Sequence, residues 1–254
     1  MRHNLQPMKA LRLEDILFTQ GFGTRRVCAG LIQQGHVRVH QQVCTDAGER
    51  FDPEGLLIEV QGQVWPWCEK AYVMLHKPAG TECSQRPSAW PSVYTLLPAP
   101  LRQRPNKGAV DGVQAVGRLD QDTTGMLLLS DDGAFLHRMA SPRHHVPKVY
   151  EVQTADPVTP AQCERLLAGV VLDDDPRPVR AAAVQAQGPH ALSLTLTEGK
   201  YHQVKRMLAA VGNRVTGLHR SRMGGLALPE DLAPGQWRWL TPADLALLRQ
   251  NPLA

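Results

Sequence analysis

Apolar residues near the start of the chain recur first at helical and then at strand spacing. A first helix is indicated before Gly21, a typical stop signal, and a second between Thr24, a preferred N-cap residue, and Gly35. The apolar positions behind these two helices are Leu11, Leu13, Ile16 and Leu17, then Val27, Leu31 and Ile32. Residues 36–40 alternate between apolar and polar, and residues 56–60 offer another strand. The pattern therefore predicts two short helices followed by a small sheet.

Farther along the chain, short apolar strands alternate with short amphipathic helices. Strands are indicated at residues 72–75, 126–129, 148–152, 191–197, 215–222 and 237–240, and helices at residues 134–140, 159–167, 204–211 and 241–245. This order is typical of an α+β domain. Residues 81–112 are rich in proline and predict an irregular excursion. A change of composition around Pro66 predicts a linker at residues 63–70, between an N-terminal domain at residues 1–62 and a second domain at residues 71–254.

Composition places the chain among ordinary globular proteins. Of its 254 residues, 43% are hydrophobic and 20% are charged. There is no run of about 18 apolar residues, so we expect no membrane span. The N-terminal residues lack the long apolar segment of a secretory signal. These features predict a cytoplasmic protein.

The sequence contains no motif for a metal or a nucleotide cofactor. Its five cysteines are odd in number and form no C-x-x-C pair, which argues against a disulfide framework and a zinc site. His144 and His145 are adjacent but have no third ligand at a useful spacing. Residues 173–175, all Asp, are more typical of a solvated turn than of a metal site. The glycines match no phosphate-binding or dinucleotide-binding motif, so we expect neither a metal nor a cofactor.

Positive charge is concentrated in one part of the chain. The net charge is +4, and residues 198–222 hold six Lys or Arg against one acid. Such a basic stripe predicts contact with a polyphosphate, although a solvated helix face has the same composition. Residues 1–62 hold seven basic and seven acidic residues. An RNA contact there would therefore depend on locally placed arginines, such as Arg25 and Arg26.

The most distinctive stretch combines a polar loop with a buried strand. Residues 117–125 are polar and end in glycines, and residues 126–129 are an apolar run that predicts a buried strand. A carboxylate beside a fixed cation at the end of such a strand can act as a nucleophile or a general base. A plainer interpretation is that Arg118 and Asp120 form surface ion pairs and that Asp122 caps a turn.

This stretch resembles the central motif of the pseudouridine synthases, in the branch that modifies ribosomal RNA and carries an N-terminal S4-like domain. The shared strings are GRLD, DTTG and an apolar strand that ends in DDG. Lys77-Pro78 resembles the first motif of the family, and EGKYHQVKRM at residues 198–207 resembles the third. The resemblance runs from about Met8 to Leu248. It implies an α+β protein with a small S4-like domain, followed by a mixed, mainly antiparallel sheet with flanking helices.

The resemblance also implies roles for individual residues. Asp120 matches the catalytic carboxylate, Tyr150 matches a strand tyrosine that lies against the target base, and Lys205 matches a cation that pairs with the carboxylate and keeps it ionised. The residues predicted to contact RNA are Arg25, Arg26, Arg38, Lys77, Arg118, His202 and Arg206. Four of these, Lys77, Arg118, His202 and Arg206, suit a scaffold role equally. No cofactor is implied.

Further strings narrow the substrate that the resemblance implies. SPRHH at residues 141–145, K-x-Y at residues 148–150 and L-H-R at residues 218–220 indicate the synthases that act on 16S ribosomal RNA at uridine 516. We therefore expect a monomeric enzyme with ribosomal RNA, in a small-subunit particle, as its partner. Three alternatives stay open: a synthase for a 23S ribosomal RNA uridine, a non-catalytic S4-type assembly factor, and a hydrolase that uses Asp120 and Asp122 as a carboxylate pair.

Overall fold

The computed structural model of the protein describes residues 10–106 and 110–251. Three predictions fall partly on the remaining residues and lie outside the described part. They are the start of the first domain and the end of the second, the start of the resemblance at Met8, and part of the proline-rich excursion.

The chain divides into two compact units. The first contains the residues up to Ala71 together with Leu97–Val113, and the second contains Tyr72–Leu96 and the residues from Gln114 onwards.

The first unit begins with two helices and continues with a small sheet, as predicted. Its elements up to residue 66 are β1 (Leu11–Arg12), α1 (Leu13–Gln20), α2 (Arg25–Gln33), β2 (Val37–Val39), β3 (Gln42–Cys44), β4 (Arg50–Phe51), β5 (Leu57–Val60) and β6 (Gln63–Pro66). The side chain of Thr24 caps α2 and accepts a hydrogen bond from Val27 N at 3.3 Å. Strands β3, β2, β5 and β6 form an antiparallel sheet in that order.

The predicted linker at residues 63–70 begins too early. Residues 63–66 form β6 and pair with β5 at the edge of the sheet. Pro66 is tolerated there because it is the last residue of an edge strand, where a missing N–H interrupts little pairing. Of the predicted linker, residues 67–70 lie outside the strands and helices.

Part of the proline-rich excursion belongs to the first unit, which the predicted boundary at residue 62 did not include. The segment Leu97–Val113 contains α3 (Ala99–Gln103) and packs with this unit. The buried guanidinium of Arg104 donates hydrogen bonds to Gln20 Oε1 and Cys68 O, both at 2.8 Å. The first unit is thus built from two separate stretches of the chain.

The second unit is a mixed, mainly antiparallel sheet with flanking helices, as predicted. Its strands are β7 (Tyr72–Lys77), β8 (Gln114–Ala115), β9 (Thr124–Ser130), β10 (Lys148–Thr154), β11 (Val170–Leu172), β12 (Asp175–Val179), β13 (Ala183–Gly188), β14 (Ala191–Leu196), β15 (Val215–Met223), β16 (Leu226–Ala227) and β17 (Trp237–Trp239). Its helices are α4 (Gly133–Ala140), α5 (Pro160–Ala168), α6 (Gln203–Ala210) and α7 (Pro242–Leu247). Short 3-10 turns lie at Val93–Leu96 and Pro142–His144.

The order of strands in the main sheet is β13-β14-β10-β15-β9-β7-β17, with β16 on β15 and β8 on β9. Among the strand pairs of this sheet in the described residues, only β15–β9 is parallel. The apolar run of β9 is fully buried, as predicted, and Met126 and Leu128 pack in a core cluster with Met139 of α4. A second cluster joins β10 and β14 to α5 and α6. No helix in the described ranges is long and apolar enough to cross a membrane.

Candidate active site

The loop between β8 and β9, residues 116–123, is held in place by a buried lysine. Lys77, the last residue of β7, donates hydrogen bonds from Nζ to Thr123 O at 2.8 Å, Pro78 O at 3.0 Å and Gln121 O at 3.3 Å. Its side chain is fully buried, and this burial lowers the pKa of Lys77. The prediction that Lys77 contacts RNA is therefore wrong, because its ammonium group faces backbone carbonyls; the structure gives it the alternative scaffold role.

Gly125 lets the loop leave the sheet close to β15. It has a φ of +110° and pairs with Arg220, and a Cβ at this position would lie 2.3 Å from Arg220 O. Any side chain here would push the two parallel strands apart. The glycine that closes the DTTG string thus fixes the distance between the loop and β15.

Asp120 lies in this loop, within reach of two basic side chains. Its Oδ2 is 3.3 Å from Lys205 Nζ, and its Oδ1 is 3.3 Å from His202 Nε2. Its side chain keeps 25% of its accessible surface. The structure therefore brings Asp120 and Lys205 together, as the resemblance implied, while their chemical roles stay predictions.

Asp122 is a second carboxylate on the same ammonium group. Lys205 donates hydrogen bonds to both of its oxygens, at 2.7 and 2.9 Å. Partial burial works to raise the pKa of Asp122, but the hydrogen bonds and charge of Lys205 hold it below its usual value. Partial burial also works to lower the pKa of Lys205, and the two carboxylates raise it instead. Lys205 therefore stays a cation shared between two acids.

Helix α6 positions Lys205, and a tied turn before it positions His202. The apolar face of α6 is buried as predicted, through Val204, Met207 and Leu208. The Gln203 side chain accepts a hydrogen bond from Lys200 N at 2.8 Å and donates one to Glu198 Oε1 at 2.9 Å. His202 precedes the helix with a φ of 48°. This left-handed conformation turns the chain sharply before the helix begins.

Tyr201 lies on the outer side of this turn and is strongly exposed. Its ring stacks on that of His202 with a centroid distance of 3.8 Å and an interplanar angle of 19°. It keeps 71% of its accessible surface. Tyr201 was not identified as a site residue from the sequence, although an aromatic residue inside a basic string is a signal for RNA contact.

A cavity of about 370 Å³ opens beside Asp120. Its wall includes the predicted Tyr150 of β10, which is also part of the core and is only 8% exposed. Polar side chains that line it are Arg118, Asp120, Thr123, Lys148, Lys200, Tyr201, His202, Gln203 and Arg220. The size is within the range of clefts that bind small ligands.

Two buried cations in this wall were not identified as site residues from the sequence. Lys148 donates a hydrogen bond to Val146 O at 3.1 Å, and its burial together with the charge of Arg220 lowers the pKa of Lys148 to about 8. Arg220 donates from Nε to Met126 O at 2.8 Å, while its buried Nη2 has no hydrogen-bond partner among the described residues. The signal for Lys148 was its spacing, because it precedes Tyr150 by two and so shares its face of β10.

The predicted basic stripe at residues 198–222 is not one surface. Lys205 is held by two carboxylates, Arg220 is buried, and Arg222 donates to Gly225 O at 3.1 Å. Arg206 forms an ion pair with the exposed Asp174, in the turn between β11 and β12, and donates to Tyr201 O at 3.2 Å. These cations are close in sequence, but α6 and β15, which carry them, direct their side chains to different places.

The remaining residues predicted to contact RNA are exposed. Arg118 lies on the loop at the cavity. In the first unit, Arg25 forms an ion pair with Asp15 and lies 4.5 Å from the ring centre of Phe18. Arg26 is exposed beside it. Arg38 lies 3.9 Å from Glu59 on the neighbouring strand. Their contact with RNA stays a prediction.

Metal binding has no visible basis in residues 10–106 and 110–251. No group of three or more His, Cys, Asp or Glu side chains in these ranges is arranged to hold a metal ion.

Two stretches of the chain match models of known protein families. Residues 71–210 match the family described as RNA pseudouridylate synthase, and residues 11–57 match the S4 domain. The first match covers the loop of Asp120, the strand of Tyr150 and the helix of Lys205.

Curated relatives and a solved structure are similar over nearly the whole length. The Haemophilus influenzae protein named ribosomal small subunit pseudouridine synthase A is 34% identical, over 94% of this chain and 99% of its own. The Escherichia coli protein of the same name is 38% identical, over 91% of this chain and 97% of its own. A structure described as a crystal structure of pseudouridylate synthase has 34% identity and a TM-score of 0.65, over 94% of this chain and 99% of that chain.

Proposed function

Because this chain belongs to the RNA pseudouridylate synthase family, we propose that it isomerises one uridine of 16S ribosomal RNA, at position 516, to pseudouridine. The named relatives and the strings at residues 141–150 and 218–220 support a small-subunit substrate. The observation that carries the proposal is the Asp120 carboxylate, which lies 3.3 Å from Lys205 beside a cavity suited to one extruded nucleotide.

The reaction breaks the C1′–N1 bond of uridine, turns the uracil over, and joins C1′ to C5. Both bonds are glycosidic and the overall change is an isomerisation. We propose Asp120 as the reacting carboxylate, either as a nucleophile or as a base towards the sugar. Both roles use the anionic form. The Lys205 ammonium complements its charge at Oδ2, and His202 Nε2 lies 3.3 Å from Oδ1. Lys77 acts indirectly, by fixing the backbone of the loop.

Tyr150 is proposed to lie against the uracil ring. It lines the cavity from β10 and is nearly buried, so its ring has a fixed position. A flat, rigid wall suits an unstacked base, because stacking replaces the neighbours that the base loses on extrusion. Tyr150 can therefore belong to the hydrophobic core and, with the part of its ring that lines the cavity, to the site as well.

Residues at the rim of the cavity are proposed to bind the RNA around the extruded nucleotide. Arg118 is an exposed cation on the Asp120 loop and can meet a phosphate. Tyr201, stacked on His202, presents an exposed aromatic face to a neighbouring base. In the S4 domain, Arg25, Arg26 and Arg38 are the proposed contacts.

The proposed substrate is a folded RNA or an assembling small-subunit particle, with the protein acting as a monomer. Sequence-specific RNA recognition mostly targets loops whose bases are already unstacked. A folded particle would present the target uridine in such a loop.

Release of tritium from C5 of uridine tests the activity. Ribosomal RNA labelled at C5, free or in small-subunit particles, is incubated with the protein, and the modified position is then mapped. The proposal predicts release with a single new pseudouridine at position 516. Binding without release would favour the non-catalytic assembly factor, and a mapped position in 23S ribosomal RNA would favour the other synthase specificity.

A further inference from the structure

We propose that Lys148 and Arg220 form a cationic wall that stabilises the negative charge on the uracil carbonyl oxygens when the C1′–N1 bond breaks. This inference rests on the proposed function, because it assigns residues to the departing base of that reaction. It gives two further catalytic residues to the site.

The sheet places these cations on the same wall as Tyr150. Lys148 precedes Tyr150 by two residues on β10, so both side chains lie on one face. Tyr150 is the direct partner of Arg220 in the β10–β15 pairing, and directly paired residues share a face. All three residues line the cavity. A base that lies against Tyr150 is therefore next to both cations.

The two cations are not explained by a structural ion pair. Lys148 is 7% exposed and Arg220 is 2% exposed. Across the described residues, neither forms an ion pair with a carboxylate, and each donates to one backbone carbonyl. Unpaired buried charges are costly. Within residues 10–106 and 110–251, the buried Nη2 of Arg220 has no hydrogen-bond partner.

The other charged or titratable groups around the cavity leave this wall positive. They come from the neighbouring loop and from the turn before α6, and they are Arg118, Asp120, Lys200 and His202. The residues contributed by β14 and α4, which are Leu196, Met139 and Ala140, carry no charge. Asp120 is the acid in this set, and it already lies beside Lys205 and His202.

The chemistry of the step requires such a wall. When C1′–N1 breaks, uracil keeps the bonding electron pair, and its negative charge spreads from N1 onto O2 and O4. C1′ meanwhile bonds to Asp120, or forms a double bond with C2′ as Asp120 takes the C2′ proton. After the base turns, the ring electrons form the C5–C1′ bond while C1′ leaves Asp120 or C2′ regains its proton. The C5 proton then passes to solvent, and N1 takes a proton from solvent. Donors from Lys148 and Arg220 to a charged carbonyl oxygen bind this intermediate more strongly than neutral uridine. Interactions that strengthen as the charge develops raise kcat.

A titration signature separates this role from a scaffold role. The low pKa of Lys148 places its loss of charge within the range of an enzyme assay. If the ammonium form is required, the rate falls as the pH rises through about 8. An arginine at this position stays charged throughout that range, so Lys148→Arg should lose this alkaline limb. If Lys148 is only a scaffold residue, the limb does not depend on its charge and should be the same in Lys148→Arg as in the wild type.

The test measures single-turnover tritium release from about pH 6 to about pH 10 for the wild type, Lys148→Arg, Lys148→Met and the control Arg138→Met. Arg138 is an exposed cation on α4. We expect an alkaline limb near pH 8 in the wild type and in Arg138→Met, and no limb near pH 8 in Lys148→Arg. Lys148→Met should bind RNA normally and lose about 100-fold or more in rate.

Several results would overturn the inference. The inference is wrong if the wild type and Lys148→Arg are both active and have the same alkaline limb. It is also wrong if the rate of Lys148→Met is within about threefold of the wild-type rate. If Lys148→Met does not fold, as judged by circular dichroism, the pH profile of Lys148→Arg decides alone. A wild-type protein that binds ribosomal RNA and releases no tritium overturns the proposed function itself, and this inference with it.

Discussion

Lys205 lies 3.3 Å from Asp120 and only 2.7 Å from Asp122, so one ammonium group serves two carboxylates. Asp122 is the more exposed of the two, with 54% of its side-chain surface accessible against 25% for Asp120. Asp122 therefore acts as an outer anchor that holds Lys205 beside the inner carboxylate.

Lys205→Met tests the electrostatic part of this arrangement. Against the effect of burial, Lys205 holds the pKa of Asp122 below its usual value, so its loss lets Asp122 gain a proton at higher pH. The anionic Asp120 also loses its charged partner at 3.3 Å, so the acidic limb of kcat against pH should move to higher pH. Lys205→Arg keeps the charge and should keep the limb in place. An unmoved limb with weaker RNA binding in Lys205→Met would make Lys205 an RNA contact instead.

Asp122→Asn separates an anchor from a second reacting carboxylate. Without the Asp122 charge, Lys205 can still pair with Asp120, so the rate should fall by no more than about tenfold. A hydrolase that uses a carboxylate pair would lose far more, because both acids take part in the chemistry. The measurement is single-turnover tritium release, with nucleoside hydrolysis followed in parallel.

Lys77→Met and Arg118→Met are matched variants that test the scaffold role of Lys77 and the RNA contact of Arg118. Removing the buried Lys77 ammonium leaves the Thr123 carbonyl without its side-chain donor and takes one of two donors from the Gln121 carbonyl, which also accepts from Gly80 N. Lys77→Met should lower the free energy of unfolding by about 2–4 kcal/mol and should not change how RNA affinity depends on salt. Arg118→Met should leave stability within about 0.5 kcal/mol and flatten the salt dependence of binding by about one charge. Urea unfolding measures the stability of each variant, and salt titrations measure how its RNA affinity depends on salt. A stable Lys77→Met with a flatter salt dependence and a destabilised Arg118→Met with an unchanged one would refute both assignments.

Tyr201→Ala tests the exposed aromatic platform. A stacked base contributes about 1–3 kcal/mol, so the dissociation constant for the substrate RNA should rise by roughly 5-fold to 150-fold. Tyr201→Phe keeps the ring and should bind like the wild type. Equal affinities for Tyr201→Ala and the wild type would remove Tyr201 from the RNA interface.

Much of the fold could be predicted from local pattern. The Thr24 cap, the buried run of β9 and the amphipathic helix α6 each depend on residues close in sequence, so periodicity and capping chemistry identify them. Strand β6 was missed because Pro66 is a breaker in a local pattern and becomes acceptable only at a sheet edge.

The parts of the site that could not be predicted depend on residues far apart in the chain. Lys77 looks like a surface cation in sequence, and it is buried because residues 121–123 fold over it. Asp122 and Lys205 are separated by 83 positions, so no local signal shows that they meet. Arg104 and Gln20 are separated by 84 positions, and their hydrogen bond means that deletion of residues 1–62 would remove a partner of this buried arginine.

The most direct test of the account is a pseudouridine map of 16S and 23S ribosomal RNA from cells that lack the protein, complemented with the wild type or with Asp120→Asn. We predict that the signal at uridine 516 of 16S ribosomal RNA is lost in these cells, is restored by the wild type, and is not restored by Asp120→Asn, which should still bind the RNA within a few-fold of the wild type. An intact signal at uridine 516 without the protein would contradict the substrate, and its restoration by Asp120→Asn would contradict the catalytic role of Asp120.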